Sequence, residues 1–357
     1  MIVRPNCGTI VGMNVSLTRV VVSVIVMGAA AWAGRADEAK AAAVVKSEFV
    51  ADEMPTASCH ASTIVQSGEA MVAAWFGGKR EGDPSVGIWL ARDAGHGWGK
   101  PVEVANGETP ERRYPCWNPV LFQPKEGPLI LFYKMGPSPS TWWGMMMTSA
   151  DGGVTWSKST RLPDGILGPI KNKPVELADG RLLCGSSTEG PAGWRLEMEW
   201  TNDLGRTWGK TPPLNDGKTF GAIQPSILKL ADGGLALVCR SKQGKVLFAR
   251  SLDKTGEKWG ELAALAAPNP NSGIDALTLA DGRHLMVYND TPRGRTPLNV
   301  ALSADGMAWR NVLTLESEAG EYSYPAVIQA RDGRVHVTYT WKRERVRHVV
   351  IDAAGLQ

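Results

Sequence analysis

Cysteine is scarce, with five residues in 357, and none forms a CxxC pair or a Cys/His spacing suited to a metal. That excludes a disulfide-dense scaffold and the familiar zinc folds as the organising principle. Cys184 and Cys239 lie inside apolar runs (LLCG, LALVC) and, with Cys59 and Cys116, read as small strand residues. An excess of one charge is also missing. The formal net charge is +3, with no basic stripe, which argues against nucleic acid as a partner. Nor is there a long hydrophobic run: the most apolar stretch, Val20 to Ala33, is short for a bilayer span. Arg4 and Arg19 precede it, and Ala31-Trp32-Ala33 offers a small-x-small cleavage site. Residues 1–33 are therefore predicted to be a signal peptide, with Met13 as a more compact start, and the protein is expected to be secreted or periplasmic.

Glycine and tryptophan are abundant, at 40 and 14 residues. The glycines mark turns, and they recur. STIVQSGEAMVAAW, PVLFQPKEGPLILFY, PVELADGRLLCG, PSILKLADGGLALVC, ALTLADGRHLMVY and AVIQARDGRVHVTY each read as two strands joined by a tight turn. Their turn glycines are Gly68, Gly127, Gly180, Gly233, Gly282 and Gly333, spaced 59, 53, 53, 49 and 51 residues apart. An all-β period near fifty residues is that of a propeller blade or a β solenoid.

A second repeat follows each of the first five turns. Its best copy is Ser149-Ala-Asp151-Gly-Gly153-Val-Thr155-Trp156, and weaker copies are centred on Asp93, Asp203, Asp253 and Asp305. The Asp can accept hydrogen bonds from the amides of its own turn, the Gly supplies a left-handed residue, and the Trp covers the blade edge. Each turn offers one or two carboxylates rather than a calcium ligand set, so no metal or cofactor is implied. The sixth unit lacks a box, but AAVVKSEFV near the start could pair with VRHVVID at the end and close a ring.

Together the two repeats resemble the BNR/Asp-box repeats of the sialidase superfamily over roughly residues 55 to 350. The resemblance implies an all-β, six-bladed β-propeller filling residues 34–357 as a single domain, with an acidic glycan or sugar as its partner.

In a propeller the heads of the innermost strands converge on one pocket. Read at that position, the repeats give His60, Asn118, Lys173, Gln224, Asp275 and Tyr324, joined by Arg80, Arg240 and Arg295, whose planar forks suit a carboxylate. By resemblance, Arg240 and Arg295 match two members of the family's arginine cluster and Asp83 its acid/base. The nucleophile matches Tyr324 by strand phase or Tyr322 by the Tyr-Ser pair. Two positions depart from the pattern: Cys59-His60-Ala61-Ser62 replaces the first arginine, and Gln224-Pro225 stands where the family has Glu-Pro. Gln cannot take the tyrosine's proton as a carboxylate can, so Glu189, His60 or Lys173 would have to compensate.

Three functions follow from these residues. One is an exo-sialidase-type glycoside hydrolase; another is a uronate lyase in which Tyr324 or His60 removes a proton; the third is a noncatalytic sugar-binding propeller using Trp117, Trp142, Trp143 and Trp194 as platforms.

Overall fold

The structure is a computed structural model that describes residues 43–356, so the predicted signal peptide lies outside the described residues. Six four-stranded antiparallel sheets follow one another along the chain, which makes the protein a six-bladed β-propeller. The innermost strands are Ser58–Ser67, Cys116–Phe122, Val175–Glu176, Ala222–Lys229, Asp275–Thr278 and Tyr322–Gln329. Each hairpin glycine named above is left-handed, with φ between 59° and 106°. Such a turn returns the chain beside itself at no steric cost to glycine.

Closure is as expected. Val44–Phe49 joins Arg345–Ile351 as the outermost strand of the sixth blade, so the ring is sealed by a strand from the chain's other end. The Asp boxes are turn staples: Asp151 accepts from the amides of Val154 and Thr155 and from the hydroxyls of Ser149 and Thr155. Asp203 repeats this set of bonds, and Trp208, Trp259 and Trp309 each donate to the carbonyl of their box glycine. With their oxygens engaged by their own loop, the boxes serve the fold.

The core lies between the blades, since each large apolar cluster draws from two neighbouring sheets. Val72, Leu90, Leu121 and Leu131 pack blade one on blade two, while Leu285, Val300, Val327 and Val337 pack five on six. The four cysteines among the described residues are buried and free. No helix among these residues is long and apolar enough to cross a membrane.

Candidate active site

Four inner strands carry the same bulge, two residues facing one, at Ala61-Ser62, Asn118-Pro119, Gln224-Pro225 and Tyr324-Pro325. The first residue of each is left-handed, with φ of 52°, 39°, 60° and 52°. For residues with a Cβ this costs about 1–3 kcal/mol each and is characteristic of side chains held for a purpose. Proline suits the second position, where no ladder hydrogen bond is given up. Counting back six residues from the amide that closes each LADG-type turn (Leu177, Leu230, Leu279, Ala330) reaches Lys171, Gln224, Gly273 and Tyr324.

The ring of equivalent positions is therefore Ala61, Asn118, Lys171, Gln224, Gly273 and Tyr324. This corrects the sequence reading at three places, because His60, Lys173 and Asp275 stand one or two residues out of phase. Unequal loops before the strands hid the register. Tyr324 gains room from the correction, for its ring neighbours in blades one and five are alanine and glycine. A Cβ on Gly273 would meet the Tyr324 ring at 3.2 Å.

Tyr324 is partly exposed and is the centre of a cationic cluster. Its hydroxyl lies 2.7 Å from Arg240 Nη1 and 3.4 Å from Gln224 Nε2. Arg240 is buried and also donates to Gln224 Oε1 at 3.2 Å and to Asn271 Oδ1 at 2.8 and 3.0 Å. The Arg295 and Arg240 guanidinium carbons each lie 5.6 Å from the Tyr324 ring centre, and Lys171 Nζ lies 5.7 Å from it. His60 also packs against this ring, ring centres 4.1 Å apart, with Nδ1 2.9 Å from Thr340 Oγ1. Burial, reinforced by Arg343, Arg295, Arg240 and Lys171, holds His60 well below its usual pKa, so it is neutral at physiological pH.

Arg343 was missed by sequence reasoning. It sits at the turn of the last hairpin, with Lys342 and itself both left-handed, and its carbonyl accepts from the Cys59 amide at 2.8 Å. Blade six thus delivers a guanidinium beside the head of blade one, where the first arginine of the resemblance is absent. Glu321 Oε1 joins Arg343 Nε (2.7 Å) to Arg295 Nη1 (2.6 Å), and Arg343 also pairs with Glu81. Burial raises the Glu321 pKa, but the two arginines outweigh it and leave the carboxyl below its usual range. The only sequence signal was an unusually charged turn, WKRER.

Lys171 and Asn172, also missed, tie the floor together. Buried Lys171 Nζ donates to Asn172 Oδ1 (2.8 Å) and Ile274 O (3.0 Å) and bonds Pro325 O, while Asn172 Nδ2 donates to Gln224 O (2.9 Å).

Of the other predicted residues, Asn118 shares the ring and Glu189 lies beside Arg240, and the rest lie elsewhere. Tyr322 is 1% exposed and packs in the core between blades five and six, which leaves Tyr324 as the tyrosine of the site. Asn118 is buried and donates to Ile170 O. Lys173, partly exposed, and buried Asp275 form an ion pair at 2.9 Å, and Asp275 also accepts from Ser226 Oγ and the Val327 amide. That clamp joins four blades. Lys173 reaches an 850 Å³ cavity among the hairpin turns and Asp151, at the opposite end of the inner strands from Tyr324. Arg80 and Asp83 stand on the tip of blade one. Arg80 is exposed, and Asp83 is held by the Ser85 hydroxyl and, second, by the Ser85 amide, which lower its pKa. Glu189, half-buried beside Arg240 and Lys242, has a raised pKa because burial outweighs those cations. Trp194 lies under both cations, at 5.4 and 4.2 Å, whereas Trp117 is buried and donates to Gly136 O.

A strained tyrosine at the head of blade six, with guanidinium groups from blades four and five beside its ring and that of Arg343 tied to Arg295 through Glu321, has the chemistry to hold an anionic ligand. The sequence model of the BNR repeat-like domain matches residues 69–337. The chain belongs to the BNR repeat-like family. Among solved structures it is similar to a protein of unknown function from Dyadobacter fermentans, at 16% identity and a TM-score of 0.73, over 86% of this chain and 98% of that one. The NanB sialidase of Streptococcus pneumoniae aligns at 13% identity and a TM-score of 0.72, over 88% and 71%. An intramolecular trans-sialidase from Ruminococcus gnavus does so at 13% and 0.70, over 88% and 99%. These likenesses, at such identities, are likenesses of fold. No curated protein matches the chain in sequence.

Proposed function

We propose that this member of the sialidase superfamily binds a terminal acidic sugar of a glycan at Tyr324 and hydrolyses its glycosidic bond. The observation that carries the reading is the Tyr324 hydroxyl held 2.7 Å from buried Arg240 at a left-handed strand head. Arg240, Arg295 and Arg343 supply the fork for the sugar carboxylate. Tyr324 Oη attacks the anomeric carbon, and negative charge on that oxygen is stabilised by the facing guanidinium. The bond to the leaving oxygen breaks as that oxygen takes a proton. We assign the proton donor to Glu189, whose environment favours the protonated carboxyl, ahead of Asp83, whose loop favours the ionised one. The phenolic proton leaves to solvent, for Gln224 is no base. Water, giving up a proton to the now ionised Glu189, then attacks the anomeric carbon and breaks its bond to Tyr324 Oη, which takes a proton back from solvent.

A lyase is the second reading. Neutral His60 packed at a tilt against Tyr324, and an amide where a carboxylate would repel an acidic sugar, suit removal of a proton α to a neutralised carboxylate.

The test supplies an aryl α-sialoside and, separately, uronate-containing glycans. Aryl release that Tyr324→Phe abolishes and Gln224→Glu raises several-fold supports hydrolysis; an ultraviolet-absorbing unsaturated product moves the assignment to a lyase, and silence in both assays sinks catalysis of either kind.

A further inference from the structure

Arg240 is held entirely by neutral partners. Its Nε and Nη2 both donate to Asn271 Oδ1, at 3.0 and 2.8 Å, and its Nη1 donates to Gln224 Oε1 at 3.2 Å and to Tyr324 Oη at 2.7 Å. Two amides and a phenol thus take up most of the guanidinium's donors. Among the described residues Arg240 forms no ion pair, and Glu189 feels its charge without bonding to it. The other guanidinium groups named above differ: Arg295 pairs with Glu321, and Arg343 with both Glu321 and Glu81. Tyr324 is therefore bonded to the one arginine of the three whose charge no carboxylate offsets at contact distance. Its hydroxyl is met by two donors, Arg240 Nη1 and, at 3.4 Å, Gln224 Nε2, so the phenolic proton stays free to leave.

The local backbone prepares Asn271 for this contact. The residue is left-handed, with φ of 59°, a conformation that asparagine adopts more readily than most side chains. It lies between the strands Ala263–Pro268 and Asp275–Thr278, in a loop closed by buried Asn269. Asn269 Nδ2 donates to Ser272 O at 2.9 Å, its Oδ1 accepts from the Ser272 amide at 3.2 Å, and its own amide donates to Gly244 O at 3.0 Å. Asn271 Oδ1 is thereby presented to two N–H groups of one planar fork, which fixes the direction in which Nη1 points.

We propose that Asn271 is a positioning residue, a neutral acceptor that aims Arg240 at Tyr324 Oη and leaves the guanidinium charge unspent for the negative charge that develops on that oxygen. The assignment rests on the reading of Tyr324 as the nucleophile. It explains how a tyrosine without a neighbouring base is made reactive: by a cation that is held but not neutralised. A carboxylate at position 271 would make the same contacts and offset the charge.

Acetylation by N-acetylimidazole tests this without any sugar. The acetyl group passes to Tyr324 Oη and imidazole leaves with the phenolic proton, so the rate at this residue, read by peptide mass spectrometry, reports its nucleophilicity. Asn271→Asp keeps the acceptor and adds a charge. It should slow acetylation of Tyr324 about tenfold, the order expected when a charge-assisted hydrogen bond becomes an ordinary one. Asn271→Gly, which suits the left-handed backbone, frees Nε and Nη2 and should slow it several-fold. Half-buried Tyr114, which packs on Trp143, is the internal standard and should react alike in all three proteins. An unchanged Tyr324 rate in Asn271→Asp overturns the proposal, since an acceptor that served structure alone would tolerate that isosteric change. So does an unchanged rate in Asn271→Gly, or a Tyr324 that fails to react in the parent. Slowing in both variants, together with silence in both sugar assays, keeps the positioning role and removes the glycosidase reading.

Discussion

At the scale of single residues, the site is governed by where charge is forced to sit. Lys171 occupies the ring position that is Gln224 in blade four and Tyr324 in blade six. Burial pulls its pKa down to about 7, against the opposing pull of Asp275 and with help from Lys173 and Arg240. A lysine with its folded pKa depressed this far loses its charge as pH rises through about 7. An anionic ligand at Tyr324 should therefore bind more weakly above that pH. Neutral His60 and the permanently charged arginines contribute no step there. We expect affinity for an acidic sugar to fall across pH 6–8, and the Lys171→Met protein to bind more weakly with that step gone. Titration of ligand affinity against pH checks this, and a step that persists without the lysine refutes the assignment.

Among the elements, the Asp-box turn shows what local chemistry can carry alone. Asp203 is held by the Arg206 and Thr207 amides and the Thr207 hydroxyl, and the Thr207 bonds lower its pKa to about 2. A carboxyl with a depressed pKa lends stability above its unfolded value, near pH 4, and that contribution is lost as pH falls toward 2. Asp203→Asn should lower Tm modestly at neutral pH and leave it nearly equal to that of the parent at pH 2; thermal melts at the two values decide it. These turns were legible in the sequence because their partners lie within four residues. So were the blade number and the closing strand, which rest on repeats and alternation. The bulged strand heads were half legible. Asn118, Gln224 and Tyr324 precede proline and were placed correctly, but Lys173 also precedes proline and is not on the ring. In blade three the phase is set by Leu177 and the turn behind it. Arg343 was invisible for another reason: its place depends on the tip of blade six reaching the head of blade one, a contact between residues 284 apart in the chain.

For the molecule as a whole, integrity depends on closing the ring, and the closing blade contains an acid-sensitive cluster. His336 Nδ1 and His348 Nε2 are 3.0 Å apart on neighbouring strands, and His348 Nδ1 lies 3.1 Å from Glu48 on the strand contributed from near the chain's start. Burial lowers the pKa of His336 to about 4, and His348 and Arg334 add to the effect while Asp332 opposes it; Lys46 and Asp93 are the remaining charges that act on the pair. A folded pKa below the unfolded value near 6.5 means that the folded state resists protonation. Its contribution is complete above pH 6.5 and is lost as pH falls toward 4, on the order of 3 kcal/mol for His336 if the pair titrates independently of the rest of the blade. The loss falls on the seam, so the strand Val44–Phe49 should be the first to part from Arg345–Ile351. Hydrogen exchange at pH 7 and pH 4.5 measures it directly. Amides of Ser47 and Phe49 should lose protection earlier than those of the inner strands, and His336→Gln should flatten the pH dependence. Uniform loss of protection around all six blades would place the acid sensitivity in the common core and remove the histidine pair from the account.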